Sequence, residues 1–473
     1  MQTDCNPKLF AFEAVERKSV VAAFDGGVIT SNAGALLLGQ LDQGLALIRR
    51  FSGCFTDRRD PRFVEHRVET LVGQRVFGLA LGYEDLNDHD ELRKDPAMAV
   101  LAGKLKPVLR GDCQPLAGKS TLNRLETMPK RHGAKYHKID FDQAKADALL
   151  VDLFLDAHER APRQIVLDLD ATDIPLHGHQ EGRFFHGYYD HYCYLPLYVF
   201  CGRHLLLARL RRSNIDGAAG ATDEIARMIG QIRARWPKVR IILRADSGFA
   251  RDGLMVWCEA HRVDYVFGLA RNTRLEAVLA QPLAEAGRRC AASGQAARLF
   301  KDFRYQTLDS WSRERRVVGK AEHTLLGANP RFVVTSLRQA QWNARALYED
   351  LHCARGEAEN RIGEQMELFA DRTSAGALAA NQLRLMFSAF AYVLIEALRR
   401  IALKHTALAD ASAQTIRLKL LKIAALVRTS VRRIHFAIAS SCPNQVEFEM
   451  AHLYLGRKRS FCAGRSGLTA AFV

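Results

Sequence analysis

A small set of acidic positions in this 473-residue chain stands where carboxylates do chemistry rather than solvate a surface. Asp168 and Asp170 lie two apart in Ile165-Val166-Leu167-Asp168-Leu169-Asp170, a run that reads as a buried strand, so both project from one face. Asp246 closes a second apolar run, Ile241 to Ala245, and precedes Ser247-Gly248, a loop opening. Glu359 falls in a long helical pattern, within His352-x-x-Arg355-x-x-x-Glu359, where positions 352, 355, 359 and 366 share one stripe. An ionised carboxylate at the end of a buried strand is costly unless something positive compensates it. A divalent cation held by hard oxygen ligands is the usual compensator. Two such ions, roughly 3.5–4 Å apart, would activate water or a 3′-hydroxyl and stabilise the leaving oxygen of an in-line phosphoryl displacement. Taken singly, each acid reads as a turn residue or a solvated helix charge; taken together, they read as a metal site.

The elements that must position these acids follow from hydrophobic period. The first 160 residues read as mostly helical, with a short extended piece at Val20 to Phe24 and helices near Arg67 to Leu81, Asp90 to Leu105, Ser120 to Leu125 and Phe141 to Arg160. At Ile165 the period changes to two. Strands are expected at Ile165 to Asp170, Tyr192 to Cys201 and His204 to Arg211, then a helix over Thr222 to Trp236 with Thr222 as cap. A strand over Val239 to Ala245, a helix near Gly253 to His261 and a strand over Asp264 to Leu269 complete the set. Three strands, a helix, a strand, a helix and a strand is the element order of an RNase H-like nuclease core, an analogy at the level of fold alone. The expected class is therefore α/β: a helical N-terminal region over 1–160, an RNase H-like catalytic domain over 161–375 and a basic C-terminal α+β extension over 376–473. Inside the catalytic domain, the strand-like, turn-rich stretch 287–336 reads as a β-rich insertion, and Asn343 to Phe369 as one long helix.

Composition narrows the partners. Lys plus Arg number 68 against 52 Asp plus Glu, a formal charge of +16, and a chain this basic usually faces a polyanion, most often nucleic acid. Residues 396–435 hold nine Lys or Arg against Glu396 and Asp410. There, alternation at Ile416 to Leu420 and at Val431 to Ile438 reads as strands, and Arg417, Lys419, Lys422, Arg432 and Arg433 are the expected phosphate contacts. The ten cysteines are scattered singly, with no Cys-x-x-Cys pair, which argues against zinc-ribbon and thioredoxin-like chemistry. Met1 to Asn6 carries an acid and no apolar block, and no run of eighteen apolar residues occurs; a cytoplasmic, nucleoid-associated protein without a membrane partner is expected. Gly118-Lys119-Ser120 has the end of a phosphate-binding loop, but the motif's first glycine would fall at Cys113. His177, His179, His186 and His191 lack the pairing a zinc site needs and read as polar loop residues near DNA.

Three motifs in register resemble those of DDE transposases. Asp170-Ala-Thr-Asp173 is similar to the first catalytic strand of that family, Arg244-Ala-Asp246-Ser-Gly248 to the second, and His352-x-x-Arg355-x-x-x-Glu359 to the Tyr-Arg-Glu-Lys signature. His177 to Gly182 and Gly187 to Tyr192 resemble the thirteen-eighty group of bacterial insertion sequences. Two departures stand out: His352 replaces the signature Tyr, and Met366 occupies the Lys position. The resemblance implies catalysis and metal binding by Asp170, Asp246 and Glu359, with Asp168 as the alternative first-strand acid. It implies two magnesium ions, with manganese as a substitute, and Arg355 and His352 holding DNA phosphate. It further implies a Trp in the β-rich insertion, here Trp311, stacking on a flipped base. The expected partners are double-stranded DNA with terminal inverted repeats, target DNA and a second copy of the chain on DNA. The expected activity is end cleavage followed by strand transfer. A nuclease that never joins, and a catalytically idle DNA-binding derivative, are the competing readings; inverted repeats flanking the coding region would favour the first.

Overall fold

The computed structural model describes residues 9–103, 116–127 and 137–466; the Met1 to Asn6 start, Leu105, Cys5, Cys113 and the Cys462 side chain lie outside the described residues. Two compact units form. One draws on Met1–Phe141, Glu367–Phe369 and Phe390–Val473, the other on Asp142–Met366 and Ala370–Ala389.

The second unit is built on a nine-stranded mixed sheet. In chain order its strands are β1 Gln164–Ala171, β2 Leu197–Cys201, β3 His204–Arg209, β4 Arg240–Ala245, β5 Asp264–Leu269, β6 Ala297–Tyr305, β7 Arg315–Thr324, β8 Gly327–Ala328 and β9 Arg331–Thr335. In space they run β3-β2-β1-β4-β5-β9-β7-β6, with β8 on β7. The first three are antiparallel, whereas β1, β4 and β5 are parallel. The helices are α1 Gln143–Asp156, α2 Ala221–Arg235, α3 Asp252–Ala260, α4 Thr273–Ser293 and α5 Gly356–Glu367.

Strand alternation decides what each face carries. Ile165, Leu167 and Leu169 of β1 pack with Phe154 of α1 and Ile225, Met228 and Ile232 of α2. The opposite face presents Ile242, Val266, Val318 and Val333 to Leu347, Tyr348 and Leu351. Asp168, Asp170 and Arg244 have the parity of this second face, so the segment approaching Glu359 is packed onto the side of the sheet that carries the acids.

Several expectations need correction. The stretch read as a β-rich insertion from 287 begins inside α4, which runs to Ser293, and its strands β6 to β9 extend the main sheet from the edge of β5. The helix over Asn343 to Phe369 runs without a gap from Ala344 to Glu367 but changes winding, from Ala344–Ala346 through a π-helical Leu347–His352 and a 3-10 turn Cys353–Arg355 to α5. The cap of α2 is Gly220, at a φ of 72°, and Thr222 lies inside the helix; only glycine adopts that backbone without strain.

In the first unit, helices occupy Leu36–Leu45, Val68–Ala80, Pro96–Leu101 and Lys119–Glu126, and a hairpin, Phe10–Val15 with Lys18–Ala22, stands where one short strand was expected. Ile29–Thr30 pairs with Ala425–Thr429, which pairs with Ile434–Ile438, so both ends of the chain build one sheet. Ile416 to Leu420 is helical, not a strand: Ile416, Arg417, Leu420 and Leu421 are all buried, and that spacing belongs to a helix. Among the described residues, Leu378–Ala402 is long and apolar enough to cross a membrane, but 72% of its apolar window is buried inside the protein, as in a core helix.

Candidate functional site

The site starts from a register. Because β1 and β4 are parallel and pair Arg244 with Asp168, the guanidinium and the carboxylate lie side by side. Arg244 donates from Nε to Asp168 Oδ1 at 2.5 Å and from Nη2 to Oδ2 at 2.8 Å. Its Nη1 donates to the Leu351 carbonyl at 2.6 Å. Burial pushes the Asp168 carboxyl up, and Arg244 pulls it back toward ionisation. One arginine thus ties two strands to the helical segment where its winding changes from π to 3-10, a kind of irregularity common at functional sites.

Asp170, one pleat further along β1, is also buried. Its Oδ2 accepts from Arg355 Nη1 at 3.1 Å, while Nη2 of the same arginine donates to Glu359 Oε1 at 2.6 Å. Burial pushes the Asp170 carboxyl up to about 6; Arg355 opposes the rise, and the charges of Asp246 and Glu359 add to it. The charges of Asp246 and Glu359 thus both reach Asp170.

Asp246 follows β4, and its Oδ1 accepts the Gly248 amide at 2.9 Å, capping a 3-10 turn. Its backbone presses on β5 at Gly268, where a Cβ would come within 2.9 Å of the Ser247 nitrogen. A side chain at 268 would displace the loop that holds Asp246. The acid opens onto a cleft of about 430 Å³ lined also by Arg271, Arg331, Tyr348, His352 and Arg355. His352 Nδ1 is buried without a hydrogen-bond partner. Burial first, then Arg355 and Arg244, push the imidazole down to about 4, so it is neutral at physiological pH.

The transposase DDE domain group 1 family model matches residues 12–460. The chain belongs to this family. No curated protein matches it. Among solved structures, the chain is similar to a piggyBac transposase synaptic complex with hairpin DNA, determined by cryo-EM, at 10% identity and a TM-score of 0.39, over 82% of this chain and 79% of that one. Family members generally use divalent metal ions, and the donor set fits one: three hard carboxylates, one of them pushed up by burial and by the charges of the other two. Among the described residues, no group of three or more His, Cys, Asp or Glu side chains is already placed to hold a metal ion; instead, the Arg355 fork bridges two of the acids.

The remaining expected residues divide sharply. Trp311 is 5% exposed, edge-on to Tyr305 at 5.8 Å and under Arg315 at 5.5 Å, so it is a core residue without a face for a base. Arg417 is buried and donates to the carbonyls of Ala80 and Glu367 at 3.1 and 2.8 Å. Lys422 donates to Asn32 at 3.0 Å and sits 3.7 Å over the Tyr83 ring. These two basic groups hold the first unit together and are not free for phosphate. Lys419, Arg432 and Arg433 are exposed. The bidentate Asp168–Arg244 pair likewise removes Asp168 as an open ligand. Arg244 was missed as a functional residue because its role depends on strand register; the signal was present in the equal positions of Asp168 and Arg244 along two parallel strands.

Proposed function

We propose that the chain is the transposase of a bacterial insertion sequence of the thirteen-eighty group, with an RNase H-like core, acting in the cytoplasm on the terminal inverted repeats of its element. The sheet order β3-β2-β1-β4-β5, antiparallel then parallel, supports the core. One observation carries the site: Arg355 bridges Asp170 and Glu359, and Asp246, at the end of the adjacent strand, adds its charge to Asp170 and lines the same cleft as Arg355.

In this reading Asp170, Asp246 and Glu359 hold magnesium. When bound, the ions lower the pKa of the attacking hydroxyl and neutralise charge on the transferring phosphoryl group. The chain's own residues do the rest. The Asp168–Arg244 clamp fixes β1 against β4 and holds the segment leading to Glu359, so the acids arrive preorganised. Arg355 supplies a planar fork within reach of the same acids, suited to two phosphate oxygens of the DNA strand. Neutral His352 adds one hydrogen bond on the cleft wall. A second copy of the chain on paired ends, and target DNA, complete the expected assembly.

The test is to incubate purified protein with its genomic flanks and magnesium. Excised ends and joined products support the proposal. Cut ends without joining would leave a nuclease, and binding without cutting would leave an idle derivative.

A further inference from the structure

Between Asp170 and β2 the chain makes an excursion, residues 173–196, that the catalytic reading leaves unused. Ile174–Pro175, His191–Tyr194 and Phe184–His186 pair in that spatial order. Both ends of the excursion are anchored beside the acid: Ala171 pairs with Leu197, and Asp170 itself with Tyr198. Alternation divides the small sheet into two faces. On one face Phe184, 38% exposed, pairs with Cys193, which is fully buried. Phe185 and Tyr192 are direct partners on the other face, with rings 5.7 Å apart and exposures of 53% and 44%. The Arg183 guanidinium lies 4.1 Å over the Tyr192 ring. Tyr188, on the turn, is 83% exposed and meets Tyr189 at 5.0 Å.

Single exposed apolar residues need no explanation, but two exposed rings packed together beside a guanidinium, with a further exposed ring on the adjoining turn, do. This group is flat rings, two of them bearing hydroxyls, next to a guanidinium; there is no aliphatic side chain on the face to suit a dry subunit contact. Flat rings with polar edges and a cation suit nucleobases, whose π-faces stack on aromatics and whose phosphates attract arginine. A paired duplex hides those faces, so the occupant must be unpaired. Chain geometry ties the patch to the site: the excursion leaves β1 just after Asp170 and returns in β2, where Tyr198 pairs with Asp170.

We propose that Phe185, Tyr188 and Tyr192, with Arg183, form a stacking platform for unpaired bases of the DNA strand that enters the Asp170–Asp246–Glu359 site. The proposal rests on the transposase reading above. Its test uses the full chain with two probes, a blunt duplex of the element's end and the same duplex with a short unpaired tail containing 2-aminopurine. The wild type should prefer the tailed probe and quench its fluorescence. Tyr188→Ala and Tyr192→Ala should each lose about tenfold of that preference, with blunt-duplex affinity and melting temperature unchanged. Tyr188→Phe and Tyr192→Phe, which keep the π-face, should behave as wild type. Alanine variants that keep tail preference and quenching would overturn the platform while leaving the transposase reading intact. Alanine variants that abolish self-association of the wild type, with tail preference intact, would make the patch a subunit contact and overturn the proposal equally. Failure of the wild type to bind either probe would remove the transposase reading, and the platform with it.

Discussion

Asp168 and Asp170 stand two residues apart on one face of one strand, both are buried, and each meets an arginine, yet their surroundings differ in kind. Asp168 has both oxygens filled by a single guanidinium, whose remaining nitrogen donates to the Leu351 carbonyl. Asp170 shares its arginine with Glu359, has a backbone hydrogen bond with Ala171, and is pushed against by two further carboxylates. A closed pair holds geometry and offers nothing to a ligand. An open acid, kept unsatisfied by its neighbours, is one that a cation can compensate. The pair two residues away supplies the rigidity that keeps the open acid in place.

The strongest break between the two regions is catalytic. Asp246→Asn and Glu359→Gln should each lower magnesium-dependent cleavage by on the order of 10⁴-fold, since such groups act as a unit, while DNA binding, read by anisotropy, persists. Next comes stability. Asp168→Ala leaves the Arg244 guanidinium buried without its carboxylate and should destabilise the second unit by about 3–5 kcal/mol in urea titration. Glu359→Gln, on an exposed side chain, should change it by less than about 1 kcal/mol.

Arg355 sharpens the contrast. Arg355→Lys should fold normally yet cut end DNA about 10²-fold more slowly, because an ammonium cannot present two parallel donors. His352→Tyr, which restores the signature residue, should stay active. Arg355→Ala with wild-type cleavage would leave the bonds to Asp170 and Glu359 as salt bridges and nothing more.

The smallest effect is on pH. Asp170 has a native pKa raised to about 6, so between its unfolded value of 3.8 and that point the native state binds more protons. Its contribution to stability is therefore fully present below 3.8 and is lost as pH rises through about 6, on the order of 2 kcal/mol by pH 7. Asp147, also pushed up to about 6 by burial, adds a parallel term. Asp170→Asn should remove only the first part, making metal-free protein at pH 7 more resistant to heat than the wild type.

Much of this site was legible before the fold. The apolar runs ending at Asp170 and Asp246 place both acids at strand ends, and the four-residue step from Arg355 to Glu359 survives the change of helical winding between them. What a local pattern cannot show is pairing between distant segments. Arg244 matters because β1 and β4 are in parallel register, and the strands from 297 onward join the main sheet because β9 pairs with β5. Charge misled where it was buried: Arg417 reads as a surface cation beside Lys419, but its donors end on backbone carbonyls. Trp311 misled in the same way, since a lone aromatic in a turn carries no sign of the ring that packs against it.

The most direct measurement is a magnesium-dependent cleavage assay on DNA bearing the element's flanks, comparing Asp170→Asn with Asp168→Asn at equal concentrations of folded protein. Asp168→Asn should cut and join at a rate within about tenfold of the wild type, as expected for a positioning partner whose geometry an amide partly keeps. Asp170→Asn should bind the same DNA and leave it uncut. Cleavage by Asp170→Asn together with an inert Asp168→Asn would contradict the assignment of the open acid as the catalytic one.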